Sequence, residues 1–415
     1  DPWIKGSCYW RSWWNYPKVD EKLISDLNPT HIYITHLHWD HYHGPSLRLF
    51  QKINPKILMA RHFNKRMRSD FVKDFQFNDI KELVHGKKYK LASDFVITSY
   101  QFNPFIIDSS LIVEAANTTL LNSNDSKVFG LSLKQIINNH KQIDFIFRSH
   151  SSASPIPHCI NGKSPEYTDR SPKDYADDFI AFAKATKAKY AIPFASSHIY
   201  LHKLTEKYNK YYSNPDFVKT IFESRNKTKQ LCVLMPSGSS WSKNLGFNIK
   251  EHDYTNLKND IENYKNENKH KLETLYLKEN QNSLNKKAFH NYFTAFLKST
   301  RFPLNLNFSF GFLINEIKNK KLFLCIINGK RKKTIVEQID NFEEIYNHNL
   351  SFVISTPLYV FNDCNLKIMH NTFTPSKLLE VFLINKNSEK QLNSYLSLVD
   401  FYENDCLPIT KLISI

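Results

Sequence analysis

A chain of 415 residues and 48.8 kDa, 41% hydrophobic and 14% aromatic, carries enough apolar side chain for two or three packed domains. That excludes a peptide hormone, a disulfide miniprotein and a disordered chain, and no apolar run reaches the roughly 20 residues that span a bilayer. The 56 Lys and Arg against 40 Asp and Glu leave +16, but most of the surplus, 35 basic against 22 acidic, lies in residues 1–250 and is Lys rather than Arg. A solvated Lys surface or a basic rim for an anionic small molecule explains this better than a nucleic-acid footprint.

In chain order, Val19–Leu27 has helical spacing and Thr30–Thr35 is a β-rich run that ends in the densest histidine cluster of the chain. Pro45–Ile53 reads as a helix, Pro55–Ala60 as a strand, and several β-rich runs follow between Tyr89 and Asn124. A helix at Leu131–Asn139, a strand at Ile143–Arg148, a helix at Pro172–Lys187 and a strand at Tyr190–Phe194 come next. Gln230–Met235 reads as a last core strand, closed by Pro236-Ser237-Gly238. These elements predict a layered α/β domain over residues 1–248. Residues 249–285, rich in Lys, Glu and Asn, read as a helical linker. An α+β accessory domain is expected at 286–415, with a helix at Ala288–Lys298, a hairpin through Phe310–Ile327 and a helix at Gln391–Tyr402. It gathers no titratable cluster, so packing, homo-oligomerisation or substrate shaping is its expected role.

Six cysteines, Cys8, Cys159, Cys232, Cys325, Cys364 and Cys406, lie far apart with no C-x-x-C pair. Free thiols in a reducing cytoplasm are expected. No signal peptide is visible, although the chain opens at Asp1-Pro2-Trp3 without Met and an earlier segment is not excluded.

Chemistry concentrates in Thr35-His36-Leu37-His38-Trp39-Asp40-His41-Tyr42-His43-Gly44, an H-x-H-x-D-H run placed directly after a strand. In a chain leaving a strand extended, His36 and His38 point the same way and can grip one cation, while Asp40 and His41 serve a second. Imidazole nitrogen and carboxylate oxygen both reach zinc at about 2.0–2.2 Å, so one compact loop supplies most of a binuclear site. His31 and His43 are read as bystanders. The aromatic run Tyr9-Trp10-Arg11-Ser12-Trp13-Trp14 is expected to pack in the core or lie as a lid against the metal loop.

This run resembles the signature of the metallo-β-lactamase superfamily, which implies an αβ/βα sandwich over about residues 1–248. Asp1-Pro2-Trp3 with Gly6, Ile34–His38, Ile112-Val113-Glu114, Ser149 with Ala153-Ser154, and Pro193-Phe194-Ala195 with His202 look similar to the catalytic domain of CMP-N-acetylneuraminate hydroxylase and its bacterial relatives. The resemblance implies a bridging carboxylate at Asp125 and a late metal histidine at His198, with His202 binding substrate or metal. One departure stands out. The superfamily usually supplies a further histidine before the bridging Asp, and Gln101-Phe102-Asn103-Pro104 has none. His150 is the candidate replacement, with a substrate-binding or a structural role as the other readings. Arg148 is expected to meet an anionic substrate or pair with a neighbouring carboxylate.

The leading expectation is a metallohydrolase with two divalent cations, zinc first, in which Asp40 and Asp125 orient an activated water. The alternative is a non-haem iron oxygenase; no paired Cys and His ligands for a Rieske cluster occur in this sequence, so its electrons would come from a domain in an earlier segment or from an external donor. A third reading is a non-catalytic basic binding protein acting on nucleic acid. It predicts steep salt dependence and indifference to chelators.

Overall fold

The computed structural model describes all residues except 63–65, 102–107, 127, 165–168, 301–304, 364–377, 386–387 and 404–415. The strand that delivers the histidine cluster runs over His31–Ile34 and pairs in parallel with Lys56–Ala60, which pairs in parallel with Ile80–Leu83. Because successive strand side chains alternate between faces, Ile32, Ile34, Ile57 and Met59 pack outward among Leu47, Met67 and Phe71 of the flanking helices. Tyr33 and Leu58 face the other way, onto Ile97, Leu111 and Val113 of a second sheet.

That second sheet has seven strands in the order Leu231–Cys232, Tyr190–Pro193, Phe145–Arg148, Thr118–Asn124, Ser109–Ala115, Phe95–Gln101 and Lys88–Ala92. The first four are mutually parallel and the remainder antiparallel. Ile112, Leu121, Ile146 and Ala191 cover its outer face together with Ile136, Phe179, Val218 and Phe222 of three helices, Gly130–Asn139, Pro172–Thr186 and Pro215–Arg225. The layers are therefore helices, sheet, sheet, helices, the mixed α/β sandwich expected from the motif. Pro172–Thr186 starts cleanly because Ser171 and Asp174 cap each other's backbone N–H and Pro172 occupies the first turn.

The parallel strands Thr118–Asn124, Phe145–Arg148 and Tyr190–Pro193 end at one edge of their sheet. The loops leaving the carboxyl ends of parallel strands form the crevice of open α/β sheets, and these loops carry Asp125, His150 and His198. The Ser109 hydroxyl donates to the Thr35 carbonyl at 2.7 Å, tying the histidine loop to the same edge.

The C-terminal part forms a six-stranded sheet in the order Ile160–Asn161, Glu380–Leu383, Phe352–Ser355, Ser309–Glu316, Lys321–Asn328, Lys333–Ile339. Its hairpin pairs Ser309 with Asn328 through Glu316 with Lys321. The edge strand Ile160–Asn161 comes from the first part of the chain, and one apolar cluster joins Tyr9, Trp13, Cys159 and Tyr200 to Phe289, Phe293, Phe312 and Tyr395. Each such side chain contributes about 1.5–3 kcal/mol on burial, so this packing holds the segment around Tyr9 firmly.

Several elements differ from the sequence reading. Pro45–Ile53 becomes a short α-helix, Gly44–Leu47, followed by a 3-10 turn, Arg48–Phe50. Val19–Leu27 shrinks to Glu21–Ser25, with Leu23 and Leu27 exposed. Only Leu231–Cys232 of Gln230–Met235 pairs as a strand. Residues 249–285 hold two helices, Leu257–Glu267 and Lys269–Gln281, and Tyr254 and Leu272 are buried against Trp14 and Tyr16. Cys8, Cys159, Cys232 and Cys325 are buried, whereas Cys364 and Cys406 lie outside the described residues. No described helix is long and apolar enough to cross a membrane.

Candidate metal centre

Thr35 follows the strand His31–Ile34, and its backbone N–H and hydroxyl donate to the Asp1 carboxylate at 2.7 and 2.8 Å. With that hydroxyl proton committed to Asp1, the Thr35 oxygen accepts from His36 Nδ1 at 2.9 Å, which turns Nε2 of His36 toward Nδ1 of His38 at 2.8 Å. Two nitrogens each about 2.0–2.1 Å from one cation would sit about 3 Å apart. His36 and His38 are thus spaced as a chelating pair, as the H-x-H spacing predicts.

His41 completes a second grouping. Its Nε2 lies 3.1 Å from Asp40 Oδ2 and 3.4 Å from Asp125 Oδ2, and its Nδ1 lies 3.2 Å from Asp1 Oδ2. One ligand atom from each of His36, His41 and Asp125 falls within 4.8 Å of the others. Asp125 reaches inward because Asn124 adopts a left-handed conformation, φ 53, tolerable for Asn, and donates its side-chain amide to Asp1. Asp125 does not cap a helix; the next one begins at Gly130.

Arg148 holds the loop in place, donating to the Ser123 hydroxyl at 3.2 Å and to the Ser126 carbonyl while lying over the Phe182 ring. It therefore brackets Asp125 on both sides in sequence, through a hydroxyl and a carbonyl.

The electrostatics favour a cation. Burial alone would lower the proton affinity of His41, but the charges of Asp125 and Asp40 outweigh it and hold the imidazolium up to about 10. Burial alone would raise Asp125, yet His41 and His36 keep it well below the ordinary carboxylate range. His36 is lowered by burial and by His41, opposed by Asp108, Asp125 and Asp40. Asp125 Oδ1 is buried with no hydrogen-bond partner. An orphaned carboxylate oxygen, imidazole nitrogens oriented from behind, and a region that retains positive charge all fit a divalent cation.

Asp1 and Asp108 were not singled out as site residues by sequence reasoning. Asp108 enters the strand Ser109–Ala115 and is the foremost carboxylate acting on His36, where a further histidine was sought at 101–104; residues 102–104 themselves lie outside the described set. The signal was an acidic residue at the head of that strand. For Asp1 it was the Asp-Pro-Trp opening itself.

Two cavities flank the centre. One of about 290 Å³ is lined by Asp1, Asp40, His41, Asn124 and His198. The other, about 980 Å³, is lined by Asp125, Arg148, Ser149, His150 and Arg170 among others. His198 belongs to the short strand His198–Tyr200, and its ring stacks on Trp13 at 4.0 Å. It shares a cavity with Asp40 and His41 but is not in the ligand group formed by His36, His41 and Asp125.

The other histidines are held by protein groups or lie outside the ligand group. His202 Nδ1 accepts from the Leu204 N–H at 3.1 Å and its Nε2 meets the Tyr359 hydroxyl at 3.1 Å, so one nitrogen fixes the local turn and the other faces the C-terminal part. His150 does not join the metal-competent group among the described residues; it is fully buried, and neither ring nitrogen makes a well-formed hydrogen bond. His43 is buried on Ser46 at 2.7 Å and His31 contacts Thr30, both away from the ligand group.

Burial pushes His150 down to about 4 and His202 down to about 3 from the ordinary 6.5. An imidazole depressed on folding is protonated first in the unfolded chain, so its stability contribution is complete above about pH 6.5 and is lost as pH falls toward the folded value. Each group gives a slope of up to about 1.4 kcal/mol per pH unit. The thermal midpoint of chelator-treated protein is expected to drop steeply from pH 6.5 to 4.5, and His202→Gln is expected to shallow that drop. An unchanged slope in His202→Gln would exclude this origin.

No family model matches the chain. A protein of Mycolicibacterium smegmatis described as a Rieske 2Fe-2S iron-sulfur protein is 26% identical over 166 residues, 38% of this chain and 31% of that protein. The chain thus spans about a third of the length of the curated relative it matches. Among solved structures, CmlA of Streptomyces venezuelae, a diiron β-hydroxylase, aligns at 11% identity and a TM-score of 0.36, over 51% of this chain and 45% of that one. YhfI of Bacillus subtilis, a metallo-β-lactamase fold protein, aligns at 12% identity and 0.33, over 52% and 80%. Its structural neighbours include metallo-β-lactamase superfamily proteins.

Proposed function

We propose that this chain is a metal-dependent enzyme of the metallo-β-lactamase type that activates water against an anionic small molecule. The convergence of His36, His41 and Asp125 within 4.8 Å, with Asp40 on His41 and His38 on His36, carries this reading. His36 and His38 would hold one cation, and Asp40 and His41 a second, with Asp125 between them. Bound divalent cations would supply a water of lowered pKa and a Lewis acid for the attacked centre.

The chain's own residues perform the rest. Asp1 orients His41, Arg148 fixes the Asp125 loop, and the 980 Å³ cavity, with Arg148 and Arg170 in its wall, accommodates a negatively charged substrate.

A second reading, a non-haem iron oxygenase, draws on the same donors: His36, His41, Asp40 and Asp125 form a mixed histidine and carboxylate set, and such sets suit iron with open positions as well as zinc. The Rieske relative agrees with this reading. Element analysis of protein purified without added metal is the test. Two equivalents of zinc with turnover independent of oxygen support the hydrolase, and iron with oxygen uptake supports the oxygenase. Chelator-resistant protein with no bound metal would sink both.

A further inference from the structure

We propose that Tyr9 is the positioning residue for Asp40, its hydroxyl deciding which carboxylate oxygen faces His41 and the cation there. This rests on the metal-centre reading above. The Tyr9 oxygen accepts the Trp39 backbone N–H at 3.0 Å, so its own proton points to Asp40 Oδ1 at 2.7 Å. Oδ1 being held from behind, Oδ2 is the oxygen turned to His41 Nε2 at 3.1 Å. A phenol hydrogen bond to a carboxylate is charge-assisted and stronger than a neutral one. Inside the fully buried surroundings of Tyr9 it is not in competition with water.

The backbone around Tyr9 shows that this placement is enforced. Tyr9, Trp10 and Arg11 have φ of 49, 54 and 63, three consecutive non-glycine residues in the left-handed region. Such residues are strained, and runs of them persist only where the surroundings over-determine the conformation. Here the surroundings do so at every position. The Tyr9 ring packs edge-on against Trp13 at 4.7 Å, Trp10 Nε1 donates to Asp363 at 2.9 Å, and the Arg11 carbonyl accepts from Trp14 Nε1 at 2.8 Å.

Relaxing the turn would swing the phenol off Asp40. Packing alone asks only for an aromatic ring at position 9, whereas the hydroxyl answers to Asp40 and Trp39.

The test uses cobalt(II) as the probe cation on the metal-free protein. Tyr9→Phe deletes one oxygen, and removing such an outer partner of a ligand typically costs 10–100-fold in affinity. About a tenfold or greater loss at the weaker cobalt site is expected, with an altered visible absorption spectrum. In an Asp40→Asn background the same substitution is expected to change neither.

Should Tyr9→Phe fold poorly, 4-aminophenylalanine at position 9, which keeps an N–H donor, is compared with isosteric 4-fluorophenylalanine, which has none; only the former should retain the native cobalt spectrum. Unchanged cobalt affinity and spectrum in Tyr9→Phe would overturn the proposal, as would an equal effect in the Asp40→Asn background. Failure of the unsubstituted protein to bind cobalt would instead remove the metal-centre reading itself.

Discussion

If the centre holds two divalent cations as proposed, Asp125→Asn is expected to reduce them to at most one and to lower the affinity of the remainder by at least about 100-fold. Outer partners of metal ligands already account for 10–100-fold, and Asp125 is placed to contact both halves of the centre directly. Its Oδ2 faces His41 at 3.4 Å, its charge acts on His36, and its Oδ1 is buried without a partner. The amide keeps the volume but removes the charge.

A second readout follows in metal-free protein. His41 holds its proton up to about 10 because Asp125 and Asp40 overcome the effect of burial. With Asp125 neutral, the larger of the two opposing charges goes, and a histidine NMR titration is expected to place His41 distinctly lower. Retention of two cations at native affinity would show that Asp125 lines the centre without holding metal.

The elements of this site differ in how far the sequence reveals them. His36, His38, Asp40 and His41 are contiguous, and their spacing acquires meaning from the strand before them, so local order alone identifies them. Asp125 is 84 residues beyond His41 and is found through the family pattern, since nothing local distinguishes it from an ordinary turn aspartate. Asp1, Tyr9 and Asp108 act by approaching the loop from other elements. Asp1 meets Thr35 across 34 positions and Tyr9 meets Asp40 across 31. Such contacts depend on how the layers stack, which no periodicity encodes.

The same limit explains His202, whose partner Tyr359 is 157 residues away in the C-terminal part. A histidine near the end of a core strand has the same local appearance whether it faces a cavity or a packed tyrosine. The layered α/β domain was legible because strands and helices follow one another along residues 30–235, and the sandwich form because the H-x-H-x-D-H run resembles a known signature; that Ile32 and Ile34 face one apolar layer and Tyr33 the other emerges only in the fold. The 3-10 break after Leu47 was not legible, because Pro45–Ile53 carries no Gly or Pro after the first turn to mark it.

Asp1→Ala is expected to damage both stability and metal binding, for separable reasons. The Asp1 carboxylate accepts from the Thr35 N–H and hydroxyl and from the Asn124 amide, and it faces His41 Nδ1. Thr35, Asn124 and His41 are all buried. A buried donor left without its acceptor costs about 1–3 kcal/mol, so a loss of about 3 kcal/mol or more in unfolding free energy of the metal-free protein is expected.

Cation affinity is expected to fall 10–100-fold in addition, since His41 loses the carboxylate that orients its ring. Asp1→Asn separates the two roles. Its carbonyl can still accept from Thr35, restoring part of the stability, but its NH₂ is a donor and accepts from neither Asn124 nor His41. If Asp1→Asn recovers stability while cation affinity stays low, Asp1 acts on the metal through His41. If affinity returns in step with stability, Asp1 is a staple between strand ends and His41 is oriented by its own loop.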